Sequence, residues 1–331
     1  MATIFVTRRI PDAGVKLLTE HGHQVILGRA DRALIHEELL DAVRAHQPEA
    51  LLCLLTDRID DAVFAAGSPH LRMVANYAAG FDNIDRAAAA SRGVFVTNTP
   101  DVLTDAVAEY TLALILALVR RVCEADRYAK SGRYRGWDPL LLLGGTLQGK
   151  TLGVVGLGRI GRSVAERCAR GLGMRIRYHS TKTDAAFEQQ LGAQFRALDD
   201  LLAESDIISL HVPLTLDTYH LINAARLARI RPTAYLVNTA RGPVVDESAL
   251  INALERGHLA GAALDVFECE PSLACSVDDH LKLKVLPNVI LTPHIASATT
   301  EARQAMSRVA AENILAVLEG RAPPNLVPIA P

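Results

Sequence analysis

No excess of either charge marks this 331-residue chain: 35 basic residues stand against 37 acidic ones, a formal net charge of −2. A surface dedicated to nucleic acid or to an anionic membrane needs a basic excess on one face, so both are disfavoured as partners. Paired cysteines are lacking too. The five present, Cys53, Cys123, Cys168, Cys269 and Cys275, are odd in number and form no C-x-x-C. They read as free thiols in a reducing compartment. No Cys/His cluster has zinc-site spacing, so no metal is expected. The longest apolar stretch, Tyr110 to Val119, is well short of the ~20 residues that span a bilayer. No basic-then-apolar leader precedes the first strand pattern, and no repeat or low-complexity tract interrupts the chain. The expectation is a cytoplasmic protein whose partners are small molecules and other copies of itself.

What the chain does have is apolar material, at 50% of residues against 22% charged, enough for a sizeable core and, by length, two domains. Short apolar runs alternate with helical patterns. Strands are expected at 4–7, 24–27, 50–55, 73–77 and 94–97, then again at 151–155, 175–179, 207–210, 234–238, 262–265 and 289–291. Buried parallel strands in open α/β sheets read this way, so the fold class is α/β with two doubly wound parallel-sheet domains. One long helix is expected over 104–131, apolar nearly all round, and a last helix over 299–318 should return to the first domain. The pattern breaks place one domain at 1–100 plus 293–331 and the other at 101–292.

Gly156-Leu157-Gly158-Arg159-Ile160-Gly161 is a G-x-G-x-x-G that follows an apolar strand and opens a helix, the context a dinucleotide pyrophosphate requires. The first glycine permits the turn, the second lets the diphosphate approach, and the third packs helix on strand. An acid about twenty residues on would select NAD through the ribose 2′-hydroxyl. None occurs between Arg167 and Thr183, and the strand end reads Arg177-Tyr-His179-Ser180-Thr181-Lys182. Hydroxyls and a cation suit a 2′-phosphate, so NADP(H) is favoured and NAD(H) stays possible.

Arg241, Glu270 and His294 each follow an expected strand of the second series, and doubly wound sheets bind ligands beyond such strand ends. Reducing a 2-keto acid needs a cation for the carboxylate and carbonyl oxygen and an acid for the developing alkoxide. Arg241 can orient the substrate with its planar fork, His294 can donate the proton, and Glu270 can favour the protonated imidazole.

Over nearly its whole length the sequence resembles the D-isomer-specific 2-hydroxyacid dehydrogenases. The resemblance is carried by Asn76-Tyr-Ala-Ala-Gly-Phe-Asp-Asn-Ile-Asp85, the glycine loop, Leu236-Val-Asn-Thr-Ala-Arg-Gly242, Asp265-Val-Phe-Glu268 with Glu270-Pro271, and Thr292-Pro-His-Ile295. It implies a flavodoxin-like substrate domain, a Rossmann dinucleotide-binding domain and a cleft between them, with Arg241, Glu270 and His294 as the catalytic triad. It implies that Ala79 and Gly80 grip the substrate carboxylate, with Leu55 shaping the pocket. The implied dinucleotide shell is Thr104, Arg159, Ile160, Ser180, Thr181, Lys182, His211, Val212, Pro213, Thr218, Thr239, Ala240, Arg241, Asp265, His294 and Ala296, with Asp265 facing the nicotinamide amide. His179 and His211 would serve the dinucleotide or the packing, not proton transfer. Trp137-Asp-Pro, Leu140–Leu143 and the Ile295 to Thr299 ending look like the glyoxylate and hydroxypyruvate reductases. There Trp137 would reach a partner's active site, implying a homodimer; the plainer alternative is a core aromatic. That branch often has a Ser-Arg-x-Arg strand end where this chain has Ser180-Thr-Lys182. A phosphite-oxidising relative carries a lysine where this chain has Ala79, which fits a small monocarboxylate better. A bulkier keto acid, or a non-catalytic dinucleotide sensor, are the other readings.

Overall fold

A computed structural model describes residues 1–28, 32–268 and 282–328. The chain divides into two compact units, Met1–Leu103 with Ala298–Pro331, and Thr104–Ser297. Both are α/β, as the alternation of short apolar runs and helices requires.

Among the described residues the first unit holds five strands: β1 (Thr3–Val6), β2 (Gln24–Leu27), β3 (Ala50–Cys53), β4 (Met73–Asn76) and β5 (Phe95–Thr97). They pair in the order β2-β1-β3-β4-β5, all parallel. Strands β3 and β4 are buried at every position, which is why they read as continuous apolar runs and not as alternation. The topological switch lies between β1 and β3, and in such sheets the crevice beyond the carboxyl ends at the switch is where ligands bind. The helix Thr300–Leu318, capped by the Thr299 hydroxyl on the Ala302 amide (3.1 Å), belongs to this unit. Ser307 Oγ donates to the Pro11 carbonyl (2.6 Å) and accepts from the Gly14 amide (2.9 Å). A Cβ on Gly14 would stand 2.0 Å from the Ser307 carbonyl oxygen, so only glycine lets the Asp12–Glu20 helix sit so close.

Among the described residues, seven parallel strands build the second unit: β6 (Thr151–Val155), β7 (Arg175–His179), β8 (Gln194–Phe195), β9 (Ile207–Leu210), β10 (Tyr235–Asn238), β11 (Gly261–Leu264) and β12 (Val289–Leu291). Their order is β12-β11-β10-β9-β6-β7-β8, a doubly wound sheet whose switch falls between β6 and β9. Two apolar clusters cover it, one around Leu236, Leu250 and Leu264 and the other around Ile115, Val154 and Val164.

The long helix expected over 104–131 is in fact two, Thr104–Val119 and Val122–Lys130. Arg121 between them adopts a left-handed conformation, φ 55°. Gly144 and Gly145 pass the first helix's end closely enough for the Gly145 amide to take the Val119 carbonyl (3.1 Å). A Cβ on Gly144 would lie 2.5 Å from that same oxygen. The break therefore comes from a tertiary contact that helical periodicity does not encode. Among the described residues, no helix is long and apolar enough to cross a membrane.

Candidate active site

The glycine loop leaves β6 and turns into the helix Arg159–Leu172. Gly156 has φ +98°, and a Cβ there would meet the His211 carbonyl oxygen at 2.6 Å and the Val212 amide at 2.9 Å. At Gly161 it would meet the Gly156 carbonyl oxygen at 2.1 Å. Gly158 is different, because a Cβ there finds nothing within 4 Å. Packing thus explains two glycines and leaves the third as an open approach in front of a helix N-terminus, which is what a diphosphate needs. Residues and geometry fit a dinucleotide.

At the end of β7, Ser180 is half-buried while Thr181 and Lys182 are exposed. The first acid beyond them, Asp184, is already engaged. Its carboxylate caps the next helix through the Phe187 amide (2.9 Å) and pairs with Arg162. Those hydrogen bonds hold it below the usual carboxylate range. His179 packs against Phe195 and bonds the Arg196 carbonyl through Nδ1 (3.0 Å).

Beyond β9, His211 presses on the glycine loop. Its Nε2 bonds Ser209 Oγ (2.8 Å), and desolvation pushes its pKa down to about 3. A ring so hard to protonate is a poor proton donor. Val212 and Pro213 lead into a turn that Thr218 staples, donating from Oγ1 to the Pro213 carbonyl (2.6 Å) and accepting from the Thr215 amide (2.8 Å). Thr218 thus shapes the loop. Thr104 begins the first helix of the unit. Within that helix, the Thr111 hydroxyl donates to the Val107 carbonyl (2.8 Å) and therefore accepts from Thr239 Oγ1 (2.9 Å).

Arg241 follows β10 on a turn built by Asn238, which is 1% exposed. Asn238 Nδ2 donates to the Arg241 carbonyl (2.9 Å), and its Oδ1 accepts from the Ala240 amide (3.0 Å). The next residue, Gly242, runs against the chain leaving β11, where a Cβ would fall 1.6 Å from the Phe267 carbonyl oxygen. Glu270 lies outside the described residues, as do Cys269, Pro271 and Cys275.

His294 follows β12 in a left-handed conformation, φ 53°. Its amide donates to the Asp265 carbonyl (2.8 Å). The Asp265 side chain, fully buried, accepts from Thr292 Oγ1 (2.7 Å), the Ile295 amide (2.9 Å) and the Ala296 amide (2.8 Å). Burial pushes this carboxyl up while the three donors pull it down. The Asp265 carboxylate thereby holds the loop that carries His294 and Ala296. Strands β10, β11 and β12 are neighbours in the sheet, so the segments bearing Arg241, Asp265 and His294 share one edge of its carboxyl end.

In the first unit, Leu55 and the Ala79–Gly80 segment follow β3 and β4, also at carboxyl ends. All three residues are half-buried. A polar network unread in the sequence ties them down. Asp57 accepts from the Leu54 amide (2.8 Å) and from Thr7 Oγ1 (2.5 Å) across the β1/β3 switch. Asn83 Nδ2 donates to the Leu54 and Asp57 carbonyls (3.1 and 3.0 Å). Asn76 and Asn98 bond the carbonyls of Gly80 and Ala79 (2.9 and 2.6 Å). Trp137 is 84% exposed in the single chain, with Leu140 at 76% and Leu143 at 62%, so the core-aromatic alternative fails.

Comparison with known proteins agrees with this geometry. A family model described as D-isomer specific 2-hydroxyacid dehydrogenase, NAD binding domain, matches residues 112–296. A glyoxylate reductase of Thermococcus onnurineus is 48% identical over 328 residues, 98% of this chain and 95% of that protein. A crystal structure of a Thermus thermophilus protein superposes with a TM-score of 0.90 at 45% identity, covering 98% of this chain and all of that one. The NADPH-dependent glyoxylate/hydroxypyruvate reductase of Sinorhizobium meliloti, solved with NADP and malonate, gives a TM-score of 0.83 at 34% identity. It covers 98% of this chain and 96% of that one.

Proposed function

The chain belongs to the D-isomer-specific 2-hydroxyacid dehydrogenases, and on that premise we propose that it reduces a small 2-keto acid of the glyoxylate or hydroxypyruvate kind to the 2-hydroxy acid. The observation that carries the reading is the shared edge of β10, β11 and β12, which presents Arg241 and His294 on the sheet whose glycine loop fits a dinucleotide. When bound, the dinucleotide supplies the hydride, which adds to the keto carbon.

Arg241 orients the substrate through its planar guanidinium, whose Nη1 also donates to the Ala240 carbonyl (2.8 Å). His294 gives its proton to the oxygen that becomes the hydroxyl, and in the reverse direction takes it back. Glu270 is assigned the stabilisation of the protonated imidazole. Ala79 and Gly80 are assigned the substrate carboxylate and Leu55 the pocket wall. Ser180, Thr181 and Lys182 favour a 2′-phosphate, because the acid after them is committed to Arg162 and a helix cap. NADPH is therefore the proposed reductant. A homodimer in which the exposed Trp137 segment is covered by a second copy completes the proposal.

The test is dinucleotide oxidation by the purified protein, with NADPH and NADH in parallel and glyoxylate, hydroxypyruvate, pyruvate or phenylpyruvate as acceptor. Turnover of the first two with NADPH is the expected result. Faster NADH oxidation refutes the 2′-phosphate assignment alone. Preference for phenylpyruvate refutes the small pocket, and inactivity toward all four refutes the reaction.

A further inference from the structure

Three consecutive carbonyls in the segment after β4 are held by named donors. The Ala78 carbonyl accepts from the Thr99 amide (2.9 Å), Ala79 from Asn98 Nδ2 (2.6 Å) and Gly80 from Asn76 Nδ2 (2.9 Å). In a trans peptide the N–H points opposite to the C=O of the same plane. Each pinned carbonyl therefore aims the following amide, those of Ala79, Gly80 and Phe81, away from its donor.

In an extended chain successive amides point to alternate sides. Here two successive carbonyls are drawn to one segment, Asn98–Thr99, so the Ala79 and Gly80 amides leave on the same side. Two amides that leave on one side make a donor pair that attracts an anion. None of the three amides has an acceptor among the described residues, and Ala79, Gly80 and Phe81 are all half-buried. No lysine or arginine occurs from Asn76 to Asp85, while Asp82 and Asp85 do. A cradle of amides without a cation suits a singly charged carboxylate and not a doubly charged oxyanion.

We propose that Asn98 is a positioning residue for substrate, with Asn76 as its counterpart one peptide further on: their side-chain amides set the tilt of the anion-binding peptides and select monocarboxylates. The inference deepens the proposed function and rests on it. Asn98 suits the task because its backbone is secured separately. Its amide donates to the Asn325 carbonyl (3.3 Å) and its carbonyl accepts from Asn313 Nδ2 (3.3 Å). The side chain can be changed while the main chain stays held.

The experiment compares the whole protein with Asn98→Asp and Asn98→Ala. It measures keto-acid kinetics, the Kd of oxamate (a non-reducible monocarboxylate) by calorimetry with dinucleotide present, and the Kd of the dinucleotide alone. Asn98→Asp sets a carboxylate against the Ala79 carbonyl and turns the peptide. KM and oxamate Kd should rise at least about tenfold, with kcat within about threefold and dinucleotide Kd within about twofold. Asn98→Ala, which only loosens the peptide, should show the same split at smaller size. If Asn98→Asp does not fold, as far-UV circular dichroism would reveal, Asn98→Ala carries the test. Unchanged KM and oxamate affinity in the variants, with an active parent, overturn the inference alone. So does a parallel fall in kcat and dinucleotide affinity, which marks a merely structural residue. A parent inactive on every keto acid removes the proposed function and this inference with it.

Discussion

Replacing His211 by asparagine should flatten the acid side of the stability profile. The ring ordinarily titrates near 6.5, and desolvation lowers it to about 3 in the folded chain. Between those values the unfolded chain binds the extra proton, so stability rises with pH across the window and is lost as pH falls below about 6.5. At about pH 5 the unfolded ring is almost wholly protonated and the folded one almost wholly neutral, a difference of about 2 kcal/mol; near pH 7.5 it is below about 0.1 kcal/mol. Other buried groups titrate as well. Asp57 and Asp265 are raised by burial, which opposes the histidine because the folded state holds their protons more tightly, and His23 is lowered, which adds to it. These remain in both proteins, so the comparison cancels them. Urea unfolding at the two pH values supplies the free energies. Far-UV circular dichroism is the probe to use, because the single tryptophan, Trp137, is 84% exposed and reports little of folding. The parent should lose about 2 kcal/mol more than His211→Asn on acidification. Equal losses would refute the desolvated-ring reading.

The glycines separate packing from binding. Gly158→Ala meets open space, so stability should hold within about 0.5 kcal/mol, while dinucleotide Kd, read by fluorescence titration, rises at least about tenfold because the methyl group stands in the diphosphate's approach. Gly156→Ala meets backbone at 2.6 Å from a left-handed position and should cost about 2–4 kcal/mol in urea unfolding. Asp265→Asn turns an N–H₂ toward a buried amide of the 292–296 loop, which should cost about 1–3 kcal/mol. Releasing that loop also frees His294 from a conformation that costs about 1–2 kcal/mol to hold, so kcat should fall more than dinucleotide affinity does. His294→Ala should abolish most turnover while dinucleotide Kd stays within about twofold; full activity would remove the histidine from the mechanism. Cys168, pushed up to about 12 by burial, and Cys53, also raised by burial, should resist a thiol reagent near pH 8 until the chain is unfolded. Peptide mass spectrometry after labelling reads that out.

Local chemistry made much of this protein legible in its sequence. Strands β3, β4, β6 and β9 are short, apolar and buried on both faces, so a run of four or five such residues announces them without knowledge of their neighbours. The glycine loop is equally local, because strand, turn and helix N-terminus lie within one stretch of chain. The segments bearing Arg241 and His294 could be placed because each sits immediately after a recognisable strand. The rest depended on residues far apart in the chain. Periodicity drew one helix through Arg121, and only the approach of Gly144–Gly145 ends it at Val119. Nothing near Asp265 in the sequence shows that the 292–296 loop, 27 to 31 residues away, folds onto its carboxylate. The asparagines that set the Ala79–Gly80 peptides and the Arg241 turn carry no sequence mark that separates a staple from a surface amide. A side-chain hydrogen bond is decided by which carbonyl folding brings within 3 Å. Apolar periodicity fixes which segments are buried, and the polar contacts that aim a site are settled only once those segments have packed.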